Sequence, residues 1–141
     1  MIEICFVCTG DTCRSVMAER IARKKAKTRM LDCKFTSAGI YAKKENISEN
    51  AAKALKLLGY DGRARKSVKL GKTKPNVLYV CVTEAHKNYV KSKKVISFKD
   101  LYGEVPDPYG QPLENYIQSA KQIEKNVDVL LDKLVKLRGE I

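Results

Sequence analysis

The stretch Cys8-Thr9-Gly10-Asp11-Thr12-Cys13-Arg14-Ser15 decides how this chain folds and what it can bind. It follows an apolar run, residues 2–7, that predicts a buried strand, and it leads into an amphipathic helical pattern over residues 16–29. A loop between a strand and a helix can direct its backbone N–H groups and the positive end of the helix dipole at one tetrahedral oxyanion. Arg14 can hold two oxygens of that anion at once. The stretch therefore predicts an oxyanion-binding loop.

The first residue of this loop is a thiol. The positive field that holds an anion also stabilises a thiolate, so we expect the pKa of Cys8 to be depressed and the thiolate to be nucleophilic at neutral pH. Gly10 and Asp11 are expected to adopt unusual backbone torsions that turn successive N–H groups inward. The alternative is that Cys8 is a small buried thiol in a tight turn. Arg14 behind it favours the nucleophile.

The rest of the chain alternates strand and helix patterns. Further strands are predicted at residues 34–38, 77–82 and 95–96. Helices are predicted from Ser48 as N-cap to Gly59, over 84–90, and over 113–137. This order predicts an α/β fold: a three-layer single domain with a four-stranded parallel sheet and helices on both faces. Ligands of such sheets bind at the carboxyl ends of the strands, where Cys8 lies.

Length and charge limit the classes of function. A chain of 141 residues can bury a core of ordinary size, so we predict one domain over residues 1–141. The net charge of +12 raises the hypothesis of a nucleic-acid partner. The lysines, however, are spread along the chain without interleaved aromatic residues, which favours a solvated surface. A second possibility is that the lysines attract acidic, phosphorylated substrates; a nucleic-acid partner is the least favoured.

The cysteines indicate the compartment. Five cysteines at irregular spacing do not suggest a secreted disulfide framework, and neither a signal peptide nor a membrane span is predicted, so we expect a cytoplasmic protein. Only Cys5 and Cys8 have the spacing Cys-x2-Cys, no second such pair follows, and the only histidine, His86, is remote from them in sequence. We therefore expect no metal site and no cofactor.

Two motifs together resemble the low-molecular-weight protein tyrosine phosphatase family. Val7 to Glu19 matches the family's nucleophile loop at all but two of its fixed positions, and Val105-Pro106-Asp107-Pro108-Tyr109-Gly110 resembles its Asp-Pro-aromatic loop. The resemblance extends over essentially the whole chain. It implies a monomeric, metal-independent enzyme that hydrolyses phosphotyrosine in proteins through a phosphocysteine.

The resemblance also implies roles for individual residues. Cys8 would be the nucleophile, Arg14 would bind the phosphoryl oxygens, and Asp107 would be the general acid. Tyr109 would form one wall of the substrate cleft, and Cys13 could form a protective disulfide with Cys8. The other residues implied to bind phosphate in the loop are Thr9, Gly10, Asp11, Thr12, Cys13 and Ser15.

The loop departs from the family pattern in two places. Asp11 stands where the family has asparagine, and Val16 stands where it has proline. A carboxylate near a bound dianion would repel it, and no histidine is present downstream to contact this position. We therefore expect Asp11 to pair with Arg65, with Ser37 completing the network.

Other functions remain open from the sequence. Thr12 stands where many members carry a larger aliphatic residue, which resembles the subgroup that acts on phosphoarginine. An arsenate reductase of the same fold would use Cys81 as a second cysteine, but residues 88–90 lack the third. A weakly active phosphate-binding module is the third alternative, and its only support is Asp11 and Val16.

Overall fold

The computed structural model of the protein describes residues 1–139. The strands are β1 (Ile2–Cys8), β2 (Cys33–Gly39), β3 (Val77–Cys81) and β4 (Val95–Ser97). The helices are α1 (Arg14–Thr28), α2 (Glu49–Leu57), α3 (Glu84–Lys87) and α4 (Leu113–Gly139), with a 3-10 turn at Phe98–Asp100.

The four strands form one parallel sheet in the order β2-β1-β3-β4. This confirms the predicted α/β fold with a four-stranded parallel sheet. In the β1–β2 register Cys8 lies opposite Gly39, and in the β1–β3 register Val7 lies opposite Cys81. The carboxyl ends of the two central strands and β2 therefore meet where Cys8 stands.

Alternate side chains of β1 pack into two separate hydrophobic clusters on opposite faces of the sheet. Ile4, Phe6 and Cys8 join a large cluster to which α1, α2 and α4 contribute their apolar residues. Cys5 and Val7 join a smaller cluster on the opposite face, where partly buried side chains such as Leu70 pack against it. The three longer helices thus all contribute to the larger core. Period-two alternation of strand side chains accounts for the division.

The helix ends follow local chemistry. Ser48 is the N-cap of α2, and its hydroxyl accepts from the Ala51 N–H at 3.4 Å, as the sequence predicts. Gly59, with φ of +87°, follows the C-cap in the left-handed conformation that favours glycine. α3 is shorter than the predicted segment 84–90, because residues 88–90 form a turn with hydrogen bonds back to residues 85–87.

None of the helices within residues 1–139 combines the length and apolar character needed to cross a membrane.

Candidate active site

The loop between β1 and α1 closes around the thiol of Cys8. The Asp11 backbone N–H donates to Cys8 Sγ at 3.2 Å, and Ser15 Oγ lies 2.8 Å from the same sulfur. Of Gly10 and Asp11, the two residues expected to have unusual torsions, Asp11 has φ of +53° in the left-handed region, whereas Gly10 is not among the residues with positive φ. The loop thus bends back over Cys8, the last residue of β1.

The end of β2 holds this loop in place. Ile40 N–H donates to the Cys8 carbonyl at 3.0 Å, and Tyr41 N–H donates to the Thr9 carbonyl at 2.8 Å. A Cβ on Gly39 would stand 2.7 Å from Asp11 N and Thr9 O, which is closer than real Cβ atoms approach. The backbone of the loop therefore packs directly on a position that only glycine can occupy.

The thiol of Cys8 is buried, and the predicted depression of its pKa is wrong. Burial raises the pKa of Cys8 above its ordinary value, hydrogen bonds from the backbone N–H groups of Ser15 and Asp11 oppose this increase, and the Asp11 carboxylate adds to it. The sequence analysis counted the cationic loop and the helix dipole but could not show how completely the sulfur is removed from water. The surroundings of Cys8 therefore favour the thiol over the thiolate.

The loop itself carries a buried carboxylate, that of Asp11. Asp11 is fully buried, its Oδ2 receives the Val68 N–H at 2.9 Å, and Arg65 Nη1 lies 3.2 Å from the same oxygen. Ser15 donates to the other oxygen, Oδ1, at 2.7 Å. Arg65 also donates to the Ser37 hydroxyl. The geometry thus contains the Asp11–Arg65 pair and the Ser37 contact expected from the sequence.

Glu19 brings a second negative charge to this region. Its Oε1 lies 3.6 Å from Arg65 Nη2, and its side chain also pairs with Arg20 and Arg23. Three arginines therefore surround the two buried carboxylates Asp11 and Glu19. No buried polar side-chain atom within residues 1–137 lacks a hydrogen-bond partner.

The guanidinium of Arg14 lies between the loop and the Asp-Pro segment. Its Nη1 donates to the Val105 carbonyl at 3.0 Å, and its Nη2 lies 3.7 Å from Asp107 Oδ2. Arg14 is buried, whereas the Asp107 side chain is 52 % exposed and its Oδ1 accepts from the Tyr109 N–H at 3.0 Å. Two residues 93 positions apart in sequence thus meet at one site.

The loop and the Asp-Pro segment form two sides of a cleft of about 250 Å³. Sequence reasoning missed two residues of this cleft, Tyr41 and Glu45. Tyr41 follows the carboxyl end of β2, so topology could have indicated it; nothing in the sequence around Glu45 distinguishes it. The predicted residues Asp11, Ser15, Ser37 and Arg65 do not line the cleft. The predicted site residues that do line the cleft are Cys8, Thr9, Gly10, Thr12, Cys13, Arg14, Asp107 and Tyr109.

His86 supports the loop from α3. Its Nε2 lies 2.9 Å from Thr9 Oγ1, and its Nδ1 lies 2.6 Å from Thr83 Oγ1. Burial and the nearby Arg14 guanidinium lower the pKa of His86, which favours the neutral ring. This arrangement agrees with a structural rather than a chemical role.

The remaining thiols differ in their relation to the cleft. Cys13 is buried beside Cys8 at the cleft, and its thiol lies 3.8 Å from the Tyr116 hydroxyl. Burial raises the pKa of Cys13, and no disulfide joins any two of the five cysteines among the described residues. Cys81 lies in the smaller core on the opposite face of the sheet from Cys8, and burial raises its pKa to about 12. The position of Cys81 does not suit a thiol relay with Cys8.

Among the side chains of the described part of the chain, no group of three or more His, Cys, Asp or Glu residues is placed to hold a metal ion.

Comparison with known proteins gives consistent results. The family model for low molecular weight phosphotyrosine protein phosphatase matches residues 3–139. The protein-arginine-phosphatase of Geobacillus stearothermophilus is 30 % identical, with 94 % of this chain and 95 % of that protein covered.

Solved structures show the same similarity. A low molecular weight protein tyrosine phosphatase from T. tengcongensis has a TM-score of 0.85 at 32 % identity, covering 94 % of this chain and 99 % of that one. A YwlE arginine phosphatase mutant with a phosphorylated serine in place of its active-site cysteine has a TM-score of 0.86 at 28 % identity, covering 96 % and 97 % of the two chains. With its fold and nearly its full length matched, this chain belongs to the low molecular weight phosphotyrosine protein phosphatase family.

Proposed function

We propose that the chain is one phosphatase domain, residues 1–141, that hydrolyses phosphorylated side chains of proteins through a phosphocysteine on Cys8. The observation that carries this proposal is the placement of a buried thiol, a buried guanidinium and a half-exposed carboxyl around one cleft: Cys8, Arg14 and Asp107. In the YwlE mutant the serine that replaces cysteine carries phosphate, which supports the same position as the phosphate acceptor here.

In the first step Cys8 Sγ attacks phosphorus as a thiolate, so a P–S bond forms while the bond from phosphorus to the leaving atom breaks. Arg14 and the backbone N–H groups of residues 9–15 bind the phosphoryl oxygens and stabilise the charge that develops on them. Asp107 donates a proton to the leaving atom. In the second step the Asp107 carboxylate takes a proton from water, which attacks phosphorus and releases Cys8.

Phosphotyrosine is the first candidate substrate. Tyr41 and Tyr109 line the cleft and are largely exposed, so their rings can pack against the ring of the substrate. The structure from T. tengcongensis, a tyrosine phosphatase, supports this candidate.

Phosphoarginine is the second candidate. Thr12 and Glu45 line the cleft, and a hydroxyl with a carboxylate suits a guanidinium better than it suits a phenyl ring. The similarity to the Geobacillus stearothermophilus arginine phosphatase supports this candidate. Asp107 would then protonate a guanidine nitrogen instead of a phenolic oxygen.

The alternatives have less support. An arsenate-reducing relay would require Cys81 near Cys8, and the two lie on opposite faces of the sheet. A weakly active binding module was suggested by the charge of Asp11, but Arg65 lies beside that carboxylate and offsets its charge. We propose a monomeric cytoplasmic enzyme whose partners are its phosphorylated substrates, without cofactor or nucleic acid.

Reversible oxidation is a further part of the proposal. Cys8 and Cys13 both line the cleft, so a peroxide that oxidises Cys8 to a sulfenic acid would be followed by attack of Cys13, formation of a disulfide and loss of water. Peroxide should abolish activity, and a dithiol should restore it, with the loss of two hydrogens localised to these cysteines by mass spectrometry. Recovery in Cys13→Ser equal to that of the wild type would contradict this role.

The function is tested by phosphate release from matched phosphotyrosine and phosphoarginine peptides, with Cys8→Ser as the control. Turnover that disappears in the variant is expected, and the faster peptide identifies the substrate class. Absence of turnover on both peptides and on a small aryl phosphate would overturn the proposal.

A further inference from the structure

Two segments remote in sequence lie side by side on the protein surface. Thr73 Oγ1 donates to the Lys91 carbonyl at 2.5 Å, and the Tyr79 N–H donates to the Lys94 carbonyl at 2.9 Å. The Lys74 N–H in turn donates to the Tyr79 hydroxyl at 2.8 Å. These bonds gather five exposed lysines, which we call the lysine face: Lys72, Lys74, Lys91, Lys93 and Lys94.

The charge of the lysine face is not neutralised. None of its five ammonium groups pairs with a carboxylate of the described residues, whereas Lys25 and Lys87 elsewhere do form such pairs. Residues 62–83 and 85–99 contain no Asp or Glu, so each segment is purely cationic. A cluster of one sign without counter-charge attracts polyanions over a distance set by the ionic strength.

The lysine face is linked to the cleft through two tyrosine rings that pack edge-on. A depression of about 390 Å³ lies between Lys72, Lys91 and the ring of Tyr89. The Tyr89 ring packs edge-on against that of Tyr41, with ring centroids 6.1 Å apart, and Tyr41 lines the cleft with Cys8. Thr73 and Lys91 also border a second depression of about 320 Å³.

The chemistry of this surface favours a polypeptide over a nucleic acid. Nucleic-acid surfaces of this kind combine cationic groups with exposed aromatic faces for base stacking. Of the residues lining the two depressions, Tyr89 is the only aromatic, so this surface offers a single ring for stacking. Lysine ammonium groups on flexible stems can follow carboxylates along an extended chain without fixed geometry.

We propose that the lysine face binds an acidic segment of the substrate protein that flanks the phosphorylated residue held in the cleft. This inference rests on the proposed function, because it takes the cleft as the site of the phosphorylated residue. It adds a preference among substrates: the KM is lower for phosphorylated residues that lie next to runs of Asp or Glu.

The test uses one phosphorylated peptide with either a tail of glutamates or a tail of glutamines, prepared with phosphotyrosine and with phosphoarginine. We expect the glutamate tail to raise kcat/KM about tenfold, because KM falls while kcat stays the same. Each exposed ion pair should strengthen binding by a factor of roughly 1.4 to 5. The triple variant Lys72→Gln, Lys91→Gln, Lys93→Gln should remove most of this gain. Ionic strength of about 1 M should remove it as well, because the Debye length falls to about 3 Å.

A matched control has the same change in charge at another place. Lys121, Lys133 and Lys136 on α4 are exposed and form no ion pair with the described residues, so their triple change to Gln should retain the full gain. Both triple variants should hydrolyse a small aryl phosphate at the wild-type rate.

Binding provides a readout that does not need turnover. Fluorescence anisotropy of the labelled peptides with the Cys8→Ser protein should show the same tail preference and the same loss in the lysine-face variant. An equal preference for the glutamate tail in the two triple variants would overturn the proposal while leaving the phosphatase function intact. The absence of any preference for the glutamate tail in the wild type would do the same. Binding of a generic RNA more tightly than the glutamate-tailed peptide, with loss in the same variant, would also overturn it.

Discussion

The Ser15 hydroxyl donates its only proton to Oδ1 of Asp11 across 2.7 Å. Ser15 Oγ also lies 2.8 Å from Cys8 Sγ, so with its proton committed to the carboxylate it can only accept there. A thiol satisfies that contact by donating S–H, whereas a thiolate would face a lone pair. The carboxylate at position 11 therefore holds the proton on Cys8, the proposed nucleophile.

Asp11→Asn should lower the pKa of Cys8. The amide can donate to Ser15, which frees the hydroxyl proton for the thiolate, and it removes a negative charge that raises the pKa of the thiol. Since the active form is the thiolate, lowering a raised pKa moves the rising limb of the pH–rate profile to lower pH. A shift of one pH unit would raise the alkylation of Cys8 by iodoacetamide about tenfold on that limb. Asp100→Asn, remote from the loop, is the control; an unchanged or higher Cys8 pKa in Asp11→Asn would contradict the argument.

Arg65→Ala should destabilise the fold by about 3 kcal/mol, because it leaves a fully buried carboxylate without its cationic partner. Urea unfolding measures the loss, and inorganic phosphate should inhibit the variant less strongly. Arg63→Ala removes an exposed guanidinium of the same segment and should change stability by less than about 0.5 kcal/mol. Asp11→Asn combined with Arg65→Ala should recover most of the lost stability; a simple sum of the two effects would indicate that the residues do not interact.

Gly39→Ala should abolish activity and lower stability, because the added methyl would meet the backbone atoms of Thr9, Gly10 and Asp11 at 2.7 to 2.8 Å. Backbone packed against a sheet cannot give way as a flexible side chain can. The control is Gly71→Ala, where the added methyl has no neighbour within 4 Å. Equal activity of the two variants would show that the loop tolerates displacement.

Asp107→Asn should lower kcat by roughly 10²- to 10⁴-fold on a substrate whose leaving group needs a proton. An aryl phosphate with a strongly acidic phenol needs little protonation, so its rate should fall far less. The comparison of the two leaving groups distinguishes proton donation from a structural role through Arg14, which would slow both substrates alike.

The sequence predicted those features that rest on local patterns. The β1–loop–α1 unit is contained within a short stretch, and the α2 cap and the long α4 follow from the capping residue Ser48 and from periodicity. The pairing of Asp11 with Arg65 was inferable because a carboxylate near a bound dianion needs an opposite charge beside it.

Features that depend on distant packing were not predictable. The raised pKa of Cys8 follows from burial, which the sequence of the loop does not show. Tyr41 and Glu45 reach the cleft only through the path of the chain after β2, and the gathering of Lys72 with Lys91 depends on bonds between two separate segments. Each of these requires knowledge of which loops lie next to each other.

The pairing of Cys8 with Gly39 in the β1–β2 register has a consequence for folding. A slip of one residue would bring Ala38 or Ile40 to the place of Gly39, and their Cβ atoms would occupy the space that the loop backbone needs. Molecules with misaligned strands should therefore be catalytically silent, even when their cores are collapsed. In a refolding experiment the recovered activity would then be proportional to the fraction of molecules with correctly aligned strands. Activity should recover more slowly than a signal, such as light scattering, that measures only the compaction of the chain.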